Sequence, residues 1–223
     1  MLFLHEVHEV VGSKEDEFEA AFRNFTEHED EDLRVVFYAT QAHGAGPSYR
    51  VVTVTALEDG EAWLRLAHRV QKGDLQAWAA SMDQLRHDVT GTLYLPLSWS
   101  PSPPLDRGQV DHDPMLYMED TMWPFPGKLD VYLEAASTHY SALLARPESL
   151  LEIVLAARPA LGAGTRPEVC LLQRVKDPKR VVDLLATPIA PERREPGTWM
   201  HDALTLRDQW RSRLLRTSRW SPW

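Results

Sequence analysis

Two periodicities of apolar residues run along the chain. Leu2 to Val10 alternates and reads as a strand, with Phe3, His5, Val7 and Glu9 on one face and Leu4, Glu6, His8 and Val10 on the other. Phe18, Ala21, Phe22 and Phe25 follow at i, i+3, i+4 and i+7, which is one helical face. Ser13 is the expected cap of that helix, with Asp16 near its positive end. Residues 33–40 and 49–57 are rich in β-branched and aromatic types and are separated by Gly44, Gly46 and Pro47, so they predict a hairpin. Helical spacing returns in Trp63, Leu66, Ala67 and Val70, and after Gly73 in Leu75, Trp78, Ala79, Met82 and Leu85. Residues 92–97 close the series as a strand, giving the order β-α-β-β-α-β.

The series then repeats. Residues 3–18 align without gaps on 117–132 at an offset of 114, with Lys14/Lys128 and Asp16/Asp130 identical. Residues 42–46 match 160–164 at offset 118, where both copies hold Gly-Ala-Gly. Residues 78–101 match 199–222 at offset 121, and Trp78, Leu85, Arg86, Leu93 and Trp99-Ser100-Pro101 all recur. The order is kept and the offset grows only where loops lengthen, which is the mark of an internal duplication. The second copy predicts elements at 115–123, 129–144, 150–156, 168–175, 181–185, 198–210 and 214–217.

Two β-α-β-β-α-β units of about 110 residues are two tandem ferredoxin-like domains, an α+β fold. The halves are 1–101 and 114–223, joined by a proline-rich linker at 102–113. Each antiparallel sheet carries helices on one face and needs cover on the other. The expectation is that the two sheets face each other as an α/β barrel within one chain. Such closure makes dimerisation unnecessary and leaves a homodimer through the outer helices open.

Composition narrows the function classes. Lys and Arg total 24 against 33 Asp and Glu, a net charge of −9, which argues against nucleic acid as a partner. The single cysteine, Cys170, cannot build a disulfide framework or a multi-cysteine zinc site, and its apolar run marks an inert core thiol. No apolar stretch approaches a membrane span, and the start MLFLHEVHEV lacks a basic signal-peptide region, so a cytoplasmic protein without membrane contact is expected.

Leu116-Tyr117, then Pro126-Gly127-Lys128-Leu129-Asp130 and Tyr132, resemble the opening strand and helix of the NIPSNAP family. Leu95-Pro96-Leu97-Ser98-Trp99-Ser100-Pro101 resembles the end of a NIPSNAP domain. Met118 and Asp120 depart from that pattern, as does the first half in lacking the Pro-Gly pair. The resemblance implies the dimeric α/β-barrel superfamily and a fold with a central cavity. Relatives there include cofactor-free monooxygenases, polyketide cyclases, lactone isomerases and haem enzymes, so no single reaction is implied.

If the face carrying His5 looks into the cavity, Glu119 is its counterpart from the second half, and the two form a candidate His/carboxylate proton-transfer pair. Phe3, Val7, Tyr117, Thr121 and Trp123 would line a site for a small apolar or aromatic ligand. With the faces reversed, Glu6 and Asp120 take that place. His43, in the glycine-rich turn, is a candidate at the cavity rim, although its plainer reading is an exposed loop histidine. His5 and His8 point to opposite sides of a regular strand and cannot share an ion, so no metal site is expected. His139 and His201 lie on helices and read as boundary residues, with haem ligation as their alternative role.

The expected function is a small-molecule enzyme running isomerase, cyclase or oxygenase chemistry on a secondary-metabolite-like substrate without a cofactor. Its rivals are a non-catalytic ligand-binding protein and a haem-binding barrel.

Overall fold

The computed structural model describes residues 1–26, 33–103, 105, 111–160 and 166–223. Residues 161–164 of the second glycine turn, and Pro104 and residues 106–110 of the linker region, lie outside the described residues. The chain divides into two compact units. Unit 1 comprises Met1–Pro96, Pro103–Pro114 and Leu215–Trp223, and unit 2 comprises Leu97–Ser102 and Met115–Leu214. The sequence halves describe the duplication and the units describe the packing; the two divisions differ in the ends of each half.

In unit 1 the strands β1 (Leu2–Val10), β2 (Leu33–Gln41), β3 (Arg50–Leu57) and β4 (Arg86–Pro96) run antiparallel in the order β4-β1-β3-β2. Helices α1 (Glu15–Phe25), α2 (Gly60–Lys72) and α3 (Gln76–Met82) connect them. The core holds Phe18, Phe22 and Phe25 of α1 against Val35, Tyr38, Val51 and Leu57 of the sheet, with Leu2, Leu4 and Val10 of β1 on the same side. Burying the three phenylalanines contributes roughly 1.5–3 kcal/mol each, which is why the i, i+3, i+4, i+7 stripe fixes this face.

In unit 2 the strands β5 (Leu116–Pro124), β6 (Leu151–Pro159), β7 (Val169–Val175) and β8 (Arg207–Thr217, of which the part to Leu214 belongs to this unit) take the equivalent order β8-β5-β7-β6. Its helices are α4 (Leu129–Ala135), continued by a π-helical turn at Ala136–Tyr140 into α5 (Ser141–Leu144), then α6 (Val181–Ala186) and α7 (Trp199–Leu206). Each unit thus has the ferredoxin-like strand order, in agreement with the fold expected from the sequence. Among the described residues no helix is long and apolar enough to cross a membrane.

The repeated Trp-Ser-Pro ends have a common structural role. In unit 2, Leu97 N donates to Ala156 O at 2.8 Å and Ala156 N donates to Ser100 Oγ at 2.9 Å. In unit 1, Ser218 N donates to Tyr38 O at 3.3 Å and Tyr38 N donates to Ser221 Oγ at 3.0 Å. Both receiving strands break register just before the receiving residue, between Val35 and Phe37 and between Ile153 and Leu155. A serine hydroxyl satisfies the backbone amide that a bulged strand exposes there. Trp220 adds ring contact with Tyr38 at 5.0 Å, and its Nε1 donates to Glu19 at 2.9 Å. Ser221→Ala should cost about 1–2 kcal/mol in urea unfolding, because it orphans the buried Tyr38 amide; an unchanged midpoint would contradict this role.

The sequence expectations need three corrections. Ser13 does not cap α1; it lies in a 3-10 turn at Gly12–Lys14 and α1 starts at Glu15, with Lys14 in the cap position. The helix expected at 129–144 is interrupted by the π-helical turn. The helix expected at 198–210 ends at Leu206, and β8 begins there instead of at 214; β4 likewise begins at Arg86 and not at 92.

Candidate functional site

The core clusters fix the two faces of each sheet. Leu2, Leu4 and Val10 pack against the helices of unit 1, so Phe3, His5, Val7 and Glu9 occupy the opposite face of β1. In unit 2, Leu116, Met118 and Met122 lie in the helix-side clusters, so Tyr117, Glu119, Thr121 and Trp123 occupy the opposite face of β5. Of the two faces that alternation left open, the one carrying His5 and Glu119 is therefore turned away from the helices, and the one carrying Glu6 and Asp120 is turned toward them.

On these faces His5, Glu119 and Trp123 have partners inside their own units. Phe3 and His5 are buried, and the His5 ring meets Tyr94 edge-on at 5.6 Å. Val7 is half-buried on the same face. Tyr117 and Thr121 are buried. Glu119 is 2 % exposed and accepts from Arg213 Nη1 at 3.0 Å, a buried ion pair. The Trp123 indole donates to Glu168 at 3.0 Å and lies under the Arg166 guanidinium at 4.1 Å. His43 is exposed in its turn. Cys170 is buried and its thiol is pushed well above the usual range, first by burial and then by the Glu119 charge, so it is not a thiolate nucleophile.

The helix-facing sides carry a second, titratable constellation. In unit 1, His8 is 1 % exposed. Arg86 Nη1 lies 3.0 Å from His8 Nδ1, and Thr53 Oγ1 lies 3.0 Å from His8 Nε2. A guanidinium can only donate, so Nδ1 accepts and the proton sits on Nε2, which donates to Thr53. Burial, then the Arg86 charge, push the His8 pKa down to about 3, so the ring is neutral. Arg86 also donates from Nε and Nη2 to Asp83, at 3.1 and 2.6 Å. Beside it, Glu6 is held above the usual carboxylate range by burial, against the lowering effect of Arg86.

In unit 2 the equivalent carboxylate is Asp120. It accepts from Gln173 Nε2 at 2.8 Å and from the Ser212 hydroxyl. Gln173 in turn accepts from the Tyr140 hydroxyl at 2.6 Å, on the π-helical turn. Desolvation raises the Asp120 pKa, opposed by those hydrogen bonds and by the Arg207 charge. The neighbouring Tyr132 and Tyr140 hydroxyls are pushed up by burial and stay protonated. Arg207 is 5 % exposed, and its Nε and Nη1 have no hydrogen-bond partner among the described residues. Its guanidinium lies 4.3 Å from the Trp210 ring. Tyr132 and Tyr140 both contact the Trp199 ring, at 5.7 and 5.2 Å, and wall this region.

This arrangement joins a base of raised pKa, a hydrogen-bond chain that orients it and a cation with donors to spare. Asp120 was visible in the sequence as the reversed-face alternative. Gln173, Ser212, Tyr140 and Arg207 were not, although the recurrence of Arg86 as Arg207 was a signal available there.

The strand order of each unit and the duplication define a ferredoxin-like α+β fold with both copies in one chain. A putative monooxygenase from Fusobacterium nucleatum is similar in structure at 12% identity, over 97% of this chain and 92% of that one, with a TM-score of 0.64. An anthrone oxidase-like protein matches at 10% identity, over 97% and 90% of the two chains, with a TM-score of 0.64. A NIPSNAP domain protein from Burkholderia xenovorans aligns at 17% identity over 46% of this chain and 100% of that one, with a TM-score of 0.39. No protein-family model matches the chain, and no curated protein is similar to it in sequence.

Proposed function

We propose that the protein is a small-molecule enzyme that removes a proton from a carbon acid, with Asp120 as the general base and no bound cofactor. The observation that carries this reading is the largely buried Asp120, oriented by Gln173 and Ser212, beside Arg207 with its Nε and Nη1 unsatisfied. A C–H bond α to a carbonyl breaks and an O–H bond forms on the Asp120 carboxylate. The electron pair moves onto the carbonyl oxygen, and the Arg207 charge offsets it. Return of the proton at another carbon completes an isomerisation and regenerates Asp120. Isomerase, cyclase and oxygenase outcomes share the first step and differ in what next meets the carbanion: a proton, an internal electrophile or dioxygen. One similar structure is an anthrone oxidase-like protein, and an anthrone is an aromatic ketone with an acidic C–H, which is the substrate chemistry this reading needs.

The reading moves the proton transfer from His5 and Glu119 to Asp120, because Glu119 is already bound by Arg213 within its unit. The helix-borne histidines do not fit a haem. His139 is exposed, and His201 binds Asp202 at 2.9 Å at the surface.

The test is solvent exchange. Incubating the enzyme with a metabolite extract in D2O should deuterate one or a few carbon acids, seen by mass spectrometry against an Asp120→Asn control. Recovery of bound ligand without label or conversion would make the protein a binder instead.

A further inference from the structure

The duplication provides an internal reference for Arg207. Val11 N donates to Leu85 O at 2.9 Å in unit 1, and Phe125 N donates to Leu206 O at 2.9 Å in unit 2. These bonds are equivalent, so Arg86 and Arg207 open the same strand at the same place in each unit. In unit 1 every guanidinium nitrogen of Arg86 is engaged, by His8 and Asp83. At the matching positions of unit 2 stand Met122 for His8 and Leu204 for Asp83. Neither replacement offers more than a weak thioether acceptor, yet the arginine is kept and buried, with Nε and Nη1 unsatisfied. Leaving buried charged donors unpaired carries a desolvation penalty that an apolar residue at 207 would avoid.

We infer that Arg207 is the receptor for an anionic group of the ligand, a carboxylate carried on an aromatic or apolar body. Unit 1 is then the plugged copy of the site and unit 2 the open one. One arginine beside the Asp120 carboxylate suits a monoanion; a phosphate, with nearly two charges, needs more cationic partners than this site has. The aromatic body follows from the rings of Trp210, at 4.3 Å from the guanidinium, and of Trp199, Tyr132 and Tyr140. Access is short, since Trp210 is 47% and Leu204 56% exposed. The inference rests on the proposed function in taking this side of unit 2 as the ligand site, and it gives Arg207 a second task there: the guanidinium holds the carboxylate while its charge offsets that on the neighbouring carbonyl oxygen.

Calorimetric titration at fixed ionic strength with benzoate and phenylacetate, and with benzamide and phenylacetamide as neutral counterparts, tests it. The carboxylates should bind at least tenfold more tightly than the amides. Arg207→Gln should abolish that preference. Leu204→Asp, at an exposed position, should also abolish it while raising the melting temperature, because it restores the partner that Arg86 has in unit 1. Equal affinity for amides and carboxylates would overturn the anion assignment and leave the ligand site standing. A preference that survives both substitutions would place the anion elsewhere and overturn it too. Binding of none of the four probes would overturn both readings.

Discussion

Acidification from pH 7 to pH 4 should destabilise the protein by roughly 3 kcal/mol through His8 alone, approaching roughly 5 kcal/mol below pH 3. The folded ring is neutral, with a pKa lowered from 6.5 to about 3. The unfolded chain binds a proton there from about pH 6.5 downward, whereas the folded chain binds it only near pH 3. Between those values the unfolded state holds more protons, so stability falls as pH falls. The geometric cause is direct: a protonated Nδ1 cannot accept from Arg86, and imidazolium and guanidinium would then repel at 3.0 Å. Glu6 and Asp120 act with the opposite sign, since raised carboxylate pKa values favour the folded state at low pH and oppose it as pH rises. His8→Gln keeps an acceptor for Arg86 and removes the titration. Chemical denaturation at pH 7 and pH 4 should therefore show a large loss for the wild type and a small one for His8→Gln. Equal losses would show that His8 does not drive acid lability.

The features legible in the sequence were those set by local pattern. Alternation through β1 correctly grouped Phe3, His5 and Val7 on one face and Leu4, His8 and Val10 on the other, because one face of that strand packs on aromatic helix residues. Repeated motifs exposed the duplication, and with it the strand order of both units. The starts of β4 and β8 were hidden for a physical reason. Their first halves, from Arg86 and Arg207, are largely exposed polar residues without apolar alternation, and pairing along the backbone alone makes them strands. The site was hidden for a different reason. Arg86 and Arg207 are the same letter at equivalent positions, and only the hydrogen-bond inventory separates a satisfied guanidinium from an unsatisfied one. That inventory depends on Asp83, His8, Leu204 and Met122 arriving from different elements, and no periodicity encodes it. The same holds for Glu119, whose partner Arg213 lies 94 residues away.

The Asp120→Asn enzyme should lose about 10²–10⁴-fold in deuterium exchange or kcat/KM, the usual contribution of a positioned general base. Asparagine preserves the shape and can still accept from Ser212, while Gln173 can turn over so that its carbonyl receives the new amide and its own amide faces Tyr140. Folding should not suffer. The raised Asp120 pKa means that the ionised carboxylate opposes folding above its unfolded value, so its removal leaves stability at pH 7 equal or higher. A mutation that weakens activity while holding or raising stability is the signature of a functional group, since a structural one would lower both. The pH profile gives a second readout. Wild-type rate should climb with pH as Asp120 ionises and then level off, and the residual rate of the variant should lack that rise. Exchange retained within about threefold, or a pH profile unchanged by the substitution, would remove Asp120 from the chemistry and return the question to the opposite faces of the two sheets, where His5 and Glu119 lie.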